Sequence, residues 1–408
     1  MNEKTLKNMF HRRRFCKRIT MMVVLCSLTF YMSVLLFGDL KTPRVMSLTD
    51  LSRCPACYGI SVCPELYSNQ IILDLDTWGG FFNAKNIFYG FTKSNRRVVL
   101  KKLAHNWELN EFDSKLCKNF NLSDNCKPIQ LLNVTNIEEK LIQIVEYNLT
   151  WPDSEPRKGL VMCPYAHSLF DLVRPIVKNE RLQSDMVIIW TLLSINPEPI
   201  ILQLLSKTGG WPVPAYGGVC GRLEVVAHEG EPLSTLTHVS WHRKLKLAKK
   251  ILEAAMDFTF KHDRFRFYLM DWSLDNIVAN EKDDITFVDL EDLVVLDKHI
   301  SPGKDLPDWY QRYGREVMGP GFTFSIENMC KHHLSDHNLW AACYILAGDE
   351  EPFLYPIPKE VNASRPHFDR LLNKCLDGVD RFKTITKLQH VIDDILMDEK
   401  VISLSSAR

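Results

Sequence analysis

Apolar residues recur along this chain in two periods, and the switches between them outline its elements. Residues 71–75, 86–91 and 97–101 are short and strand-like, with Gly79-Gly80 in the first connection. Residues 106–118 change to helical spacing through Trp107, Leu109, Phe112 and Leu116. A second helical stretch, 182–195, runs into N-P-E-P and the turn-rich G-G-W-P-V-P-A-Y-G-G, so about 117–214 reads as a helical insertion carrying surface loops. Strand patterns return at 219–222 and 223–227. Residues 241–260 form an amphipathic helix with Leu245, Ala248, Ile251, Leu252, Ala255 and Phe258 on one face.

That helix leads into F-R-F-Y-L-M-D-W-S-L-D-N-I-V-A-N-E-K-D-D-I-T-F-V-D-L-E-D, residues 265–292. The pattern predicts a strand, a polar loop, a second strand at 276–279, a turn at 280–284 and a third strand ending in Asp289. Residues 301–330 read as loop, 336–347 as a buried helix, and the last segment as two helices joined at 377–381.

Composition is globular, 46% hydrophobic and 25% charged, and 408 residues exceed a single small core. The net charge of zero hides an asymmetry. Residues 1–18 carry seven basic side chains against Glu3, and the remainder holds 43 basic against 49 acidic. That balance gives no support for nucleic-acid binding. Residues 19–37 are uncharged and long enough to span a bilayer, and the basic flank puts residues 1–18 in the cytosol. A type II signal anchor is the expectation, with a cleaved signal peptide as the rival and a stem at 38–50.

Ten cysteines follow the apolar run: Cys54, Cys57, Cys63, Cys117, Cys126, Cys163, Cys220, Cys330, Cys343 and Cys375. An even number in an oxidising lumen predicts up to five disulfides, with connectivity left open. Sequons at Asn121, Asn133, Asn148 and Asn362 fit a glycoprotein.

The chemistry centres on Asp271, Asn276 and Asp289. Phosphoryl transfer needs a carboxylate to orient the acceptor hydroxyl and oxygen ligands for Mg²⁺ on the phosphates. Asp-x4-Asn followed by a hairpin and an Asp is the protein-kinase spacing. It makes Asp271 the base, Asn276 and Asp289 the metal ligands, and ATP with Mg²⁺ the cofactors. Lys101 closes an apolar strand as a phosphate lysine should, with Lys102 on the opposite face as its competitor. Glu108 is the expected partner of that lysine, Glu111 the alternative. Residues 228–231, with Glu229, form a linker whose backbone suits an adenine edge. Cys330, His332, His333 and His337 make a metal-like cluster, but Cys330 reads as a disulfide partner and no fourth ligand is fixed.

Three stretches carry a family resemblance: C-P-A-C-x5-C at 54–63, R-R-V-V-L-K-K-L at 96–103, and N-P-E-P through C-G-R to D-W-S-L-D-N-I-V at 196–278. They resemble the divergent protein-kinase-domain family of the secretory pathway, in the branch of the "deleted in autism" protein. The resemblance implies an α+β, bilobal, disulfide-bonded fold, with a β-rich small lobe over 51–227, a helical large lobe over 228–400 and a tail at 401–408. It implies an ER, Golgi or secreted location, and the site chemistry leads us to expect phosphotransfer to a lumenal protein or glycan acceptor. It also covers pseudokinases, which would act as secreted or membrane-tethered binding proteins. Departures are plain. No G-x-G-x-x-G precedes Lys101, Leu269-Met270 stands where His-Arg is usual, Ser273 replaces a lysine, and Leu-Glu-Asp follows Asp289 in place of Phe-Gly.

Overall fold

The computed structural model describes residues 45–74, 86–123, 160–164, 182–300, 326–349, 352–378 and 380–406, with single positions at 126, 130, 139, 173 and 308. The apolar run 19–37 and the sequons at Asn133 and Asn148 lie outside these residues. No single helix among the described residues is long and apolar enough to cross a membrane.

Two short helices, α1 (Val45–Thr49) and α2 (Cys63–Tyr67), lead into β1 (Ile71–Leu73), β2 (Ile87–Thr92) and β3 (Arg97–Lys102). Helix α3 (Asn106–Asn119) follows, then β4 (Leu160–Cys163), α4 (Leu182–Ser194), α5 (Glu198–Leu204), β5 (Tyr216–Cys220), β6 (Leu223–Ala227) and β7 (Glu231–Pro232). The next run is α6 (Trp241–Phe260), β8 (Phe265–Leu269), β9 (Ile277–Ala279), β10 (Ile285–Phe287) and β11 (Leu293–Asp297). Helices α7 (Ile326–Lys331), α8 (His337–Ala347), α9 (Lys359–Ser364), α10 (His367–Asp377) and α11 (Arg381–Ser406) complete the order.

Strands β1-β2-β3-β6-β5 form an antiparallel sheet, in which Lys101 faces Glu224 across the β3–β6 ladder. The β2–β3 hairpin forms where the apolar run breaks at the polar turn 93–96, closed by the Thr92 N–H donating to the Arg96 carbonyl at 2.9 Å. The β5–β6 connection needs Gly221, whose φ is +62° and where a Cβ would lie 1.8 Å from the Thr49 carbonyl oxygen. The expected strand at 219–222 therefore ends at Cys220, and Gly221-Arg222 is the turn. Two smaller sheets run β10-β9-β7 and β4-β11-β8, the β4–β11 pair parallel.

Helix α6 matches its predicted bounds. The Ser240 hydroxyl accepts from the Arg243 N–H, 3.3 Å, an N-cap in the usual position. Leu245, Ala248, Ile251, Leu252, Ala255 and Phe258 are all buried, packed with β8, α8 and α11 in the main core. Burying one such leucine or phenylalanine contributes about 1.5–3 kcal/mol. The polar face of α6 meets water.

The five disulfides are Cys54–Cys57, Cys63–Cys220, Cys117–Cys126, Cys163–Cys330 and Cys343–Cys375, which pair all ten expected cysteines. Cys330 thus leaves the metal-like cluster, and His337 is buried under β8. Among the described residues no three His, Cys, Asp or Glu side chains converge on a metal position.

Four further expectations are corrected. The third strand of the hairpin stops at Phe287, two residues before Asp289. Residues 326–330, read as loop, belong to α7. Helix α11 continues to Ser406, through the expected tail. Most important, the stretch read as an insertion is not peripheral: β4 is buried, the C-terminal half of α4 is buried, and α5 buries Glu198, Pro199, Ile200, Ile201 and Leu202.

Candidate functional site

Position 271 follows β8, and the core sets where its carboxylate stands. Trp272 is buried against Phe287, ring centroids 4.7 Å apart, while Asp271 beside it is exposed. Helix α8 fixes the preceding strand. The Asn338 Oδ1 accepts the Leu269 N–H (3.1 Å), its Nδ2 donates to the Phe267 carbonyl (2.8 Å), and His337 Nε2 contacts the Leu269 carbonyl at 2.8 Å. Burial pushes the His337 pKa down to about 4, so the ring is neutral near pH 7 and donates Nε2–H to that carbonyl.

Asn276 enters β9 and donates Nδ2–H to Asp271 Oδ2 at 2.8 Å. Across the hairpin the Val288 N–H donates to the Asn276 carbonyl at 2.9 Å. Positions 276 and 289 therefore stand at the same open end. Asp289 has φ +72°, a left-handed conformation uncommon outside glycine. The structure thus brings Asp271, Asn276 and the Asp289 backbone to one edge of the hairpin.

Lys101 approaches that edge from the five-stranded sheet. It is buried, and its Nζ donates to both oxygens of Glu198, 2.7 and 2.9 Å. Glu198 Oε1 also accepts the Asp289 N–H at 3.3 Å. One carboxylate therefore joins the lysine strand to the hairpin. Burial works against the charge on Lys101, but Glu198, followed by Asp289 and Glu224, outweighs it and raises the lysine pKa. Lys102 turns to the other face and donates to Asn106 Oδ1.

Glu108 is not the lysine's partner. Its carboxylate accepts the His105 N–H at 2.7 Å and closes a capping box on α3. Glu111 pairs with Lys115 on the exposed face of the same helix. The partner that sequence reasoning missed is Glu198, at the first turn of α5. One signal was available: N-P-E-P-I-I-L places a lone carboxylate at the head of an otherwise apolar helix. Asn196 holds it there. The Asn196 Oδ1 accepts the Glu198 N–H (2.9 Å), and its Nδ2 donates to Glu291 Oε2 (2.7 Å) and the Leu103 carbonyl (3.3 Å).

The remaining carboxyls crowd one another. Burial, then repulsion from Asp289, Asp292 and Glu198, raises the Glu291 pKa to about 8. Glu224 is fully buried, and neither of its oxygens has a hydrogen-bond partner. Glu229 accepts the Ala215 N–H (3.0 Å) and lies 3.4 Å from Lys207 Nζ, so its side chain braces the linker. Asn121 is exposed, and Asn362 lies within α9.

A lysine on a sheet, held by a buried glutamate and facing Asp-x4-Asn and a hairpin Asp, is the ionic frame of protein kinases. The chain is kinase-like in class. A sequence profile described as "Protein-kinase domain of FAM69" matches residues 189–378. The "Divergent protein kinase domain 2A" of Xenopus tropicalis is 30% identical over 390 residues, covering 87% of this chain and 89% of that protein. The Homo sapiens protein of that name is 29% identical over 394 residues, 86% and 90% of the two chains. "Divergent protein kinase domain 2B" of Mus musculus is 23% identical over 234 residues, 53% of each. The chain belongs to the divergent protein kinase domain family.

Proposed function

We propose that this protein is an ATP- and Mg²⁺-dependent phosphotransferase of the secretory pathway, acting on a lumenal or extracellular protein or glycan. The observation that carries the reading is the Lys101–Glu198–Asp289 chain of contacts, which links a phosphate lysine to a metal-ligand position. The donor set fits the cofactor. Mg²⁺ uses one or two protein side chains and completes its shell with phosphate oxygens and water, which suits Asn276 and Asp289 at one hairpin end. When bound, Mg·ATP supplies the transferable phosphoryl group with its charge neutralised. Lys101 would hold phosphate oxygens, and Asp271 would accept the proton of the acceptor hydroxyl. A β-rich lobe over 51–227 and a helical lobe over 228–400 would form the two walls of the cleft. Five disulfides support an oxidising compartment, whether the chain is anchored through 19–37 or released.

A second reading, a pseudokinase acting as a secreted or membrane-tethered signalling protein, draws on the Asn276–Asp271 hydrogen bond, which engages a metal ligand with the base. One measurement separates them. Saturating Mg·ATP at a hundred times its Kd should raise stability by about 2.7 kcal/mol. Asp289→Asn, which tolerates positive φ, should abolish that metal-dependent rise while leaving the ligand-free melting temperature nearly unchanged. A wild-type protein whose melting is indifferent to millimolar Mg·ATP would leave the pseudokinase reading in place.

A further inference from the structure

Glu224 has no role in the phosphotransferase frame, yet it occupies a costly position. It lies on β6, directly opposite Lys101 of β3, with its side chain on the same face of the sheet. It is fully buried, and both carboxyl oxygens lack a hydrogen-bond partner. A buried polar group is normally satisfied, and leaving one unpaired is unfavourable. A carboxyl kept at that cost, beside the phosphate lysine, has a partner in some other arrangement of the site.

The cation that acts on Glu224 is Lys101. An ammonium has three N–H donors, and two are committed to the oxygens of Glu198. The third is the donor that a phosphate oxygen would use. We propose that Glu224 is a positioning residue for Lys101, a second acceptor that competes with the anionic ligand for this third N–H. The proposal rests on the nucleotide reading of the site and adds a control on it. A neutral Glu224 leaves the ammonium to the phosphates; an ionised Glu224 draws it back onto the sheet.

The surroundings determine which form prevails. Lys101 faces Glu224 from β3, Glu198 from α5, Asp289 from the hairpin end, Tyr58 from the segment before α2, and Tyr216 from β5. Burial, then the Glu198 charge, raises the Glu224 pKa well above the usual glutamate range; Lys101 pulls it down and Asp289 raises it further. Without ligand the protonated form persists to higher pH than in an ordinary glutamate. Phosphates add negative charge to the same space and reinforce that form, so binding is linked to proton retention at Glu224. Affinity should fall as pH rises.

The test uses the full chain, with Mg·ATP affinity measured by calorimetry from pH 7 to 9, where a terminal phosphate with a second pKa of about 6 is already ionised. Wild-type affinity should fall with pH, by at most about tenfold per unit for one linked proton. Glu224→Gln, which keeps the shape and cannot ionise, should bind at least as tightly and lose the pH slope. Glu224→Asp should retain the slope. The ligand-free unfolding midpoint gives a second readout. A carboxyl with a raised folded pKa contributes stability below its unfolded pKa and loses it as pH rises, so wild type should weaken relative to Glu224→Gln on going alkaline.

Equal pH slopes in wild type and Glu224→Gln would overturn the proposal. So would weaker, metal-insensitive binding by Glu224→Gln, which would make Glu224 a metal ligand. Absence of wild-type binding at every pH would sink the nucleotide reading and, with it, the competition for phosphate. The ligand-free data separate that failure from a wrong assignment of Glu224, because a stability difference constant across pH would remove its proton-linked contact with Lys101 as well.

Discussion

Replacing Lys101 with methionine is expected to cost about 3–5 kcal/mol of stability and to eliminate nucleotide binding together. The stability loss follows from burial. Glu198 is fully buried and takes both of its side-chain donors from Lys101, keeping only the long contact from the Asp289 N–H. Removing one partner of a buried pair leaves the other charge uncompensated, which is where the cost of about 3–5 kcal/mol arises. Here the stranded carboxylate would also face Asp289, Glu224 and Glu291 with no cation among them. Urea midpoints of wild type and Lys101→Met measure the loss, and calorimetry with Mg·ATP measures the binding. Equal midpoints would show that the Lys101–Glu198 pair contributes nothing to stability.

The second large effect lies away from the candidate site. Arg381 and Asp336 are both fully buried, with Arg381 Nη1 donating to Asp336 Oδ2 at 2.5 Å, Nε to the Cys375 carbonyl at 2.7 Å, and Nη2 to the Leu376 carbonyl. The guanidinium thereby joins the end of α10, the start of α11 and the residue that precedes α8. Arg381→Met should destabilise the protein by about 3–5 kcal/mol, because it leaves a buried carboxylate and two carbonyls without this donor. Pairing it with Asp336→Leu should recover much of the loss, since a buried pair replaced by apolar groups is often close to neutral. Denaturant curves on the two single variants and the double variant give the coupling. A double variant no more stable than Arg381→Met would show that the carbonyls, and not the ion pair, carry the effect.

The two halves of the candidate site differed in how readable they were. Asp271, Asn276 and Asp289 sit within 19 positions of one another on a local hairpin, so spacing alone brings them to one edge. Lys101 was readable for the same reason, as the charged end of an apolar strand with Lys102 forced to the other face. Its partner was not. Glu198 lies 97 residues away in sequence, beyond any local period, while Glu108 stood nearby on a helix of suitable spacing. The capping box explains the error, because a glutamate at the third helical position is also the residue that closes a helix start. Glu224 was hidden differently. A single carboxylate in L-E-V-V-A alternates as a solvent-facing strand residue would, and only the sheet order shows both faces covered. Strand β11 escaped notice because its apolar run follows directly on the acidic end of the hairpin.

Connectivity of the sulphurs has a consequence for handling the protein. Cys63–Cys220 and Cys163–Cys330 close loops with separations of 157 and 167 residues, and the two loops overlap between 163 and 220. Every residue of the candidate site, from Lys101 to Asp289, falls inside one loop or the other. A protease that nicks the backbone once anywhere between residues 63 and 330 therefore cannot release a fragment. The cut chain should migrate as one species on a non-reducing gel and as two after thiol treatment, and a nicked preparation can keep its candidate site assembled while its termini have doubled in number.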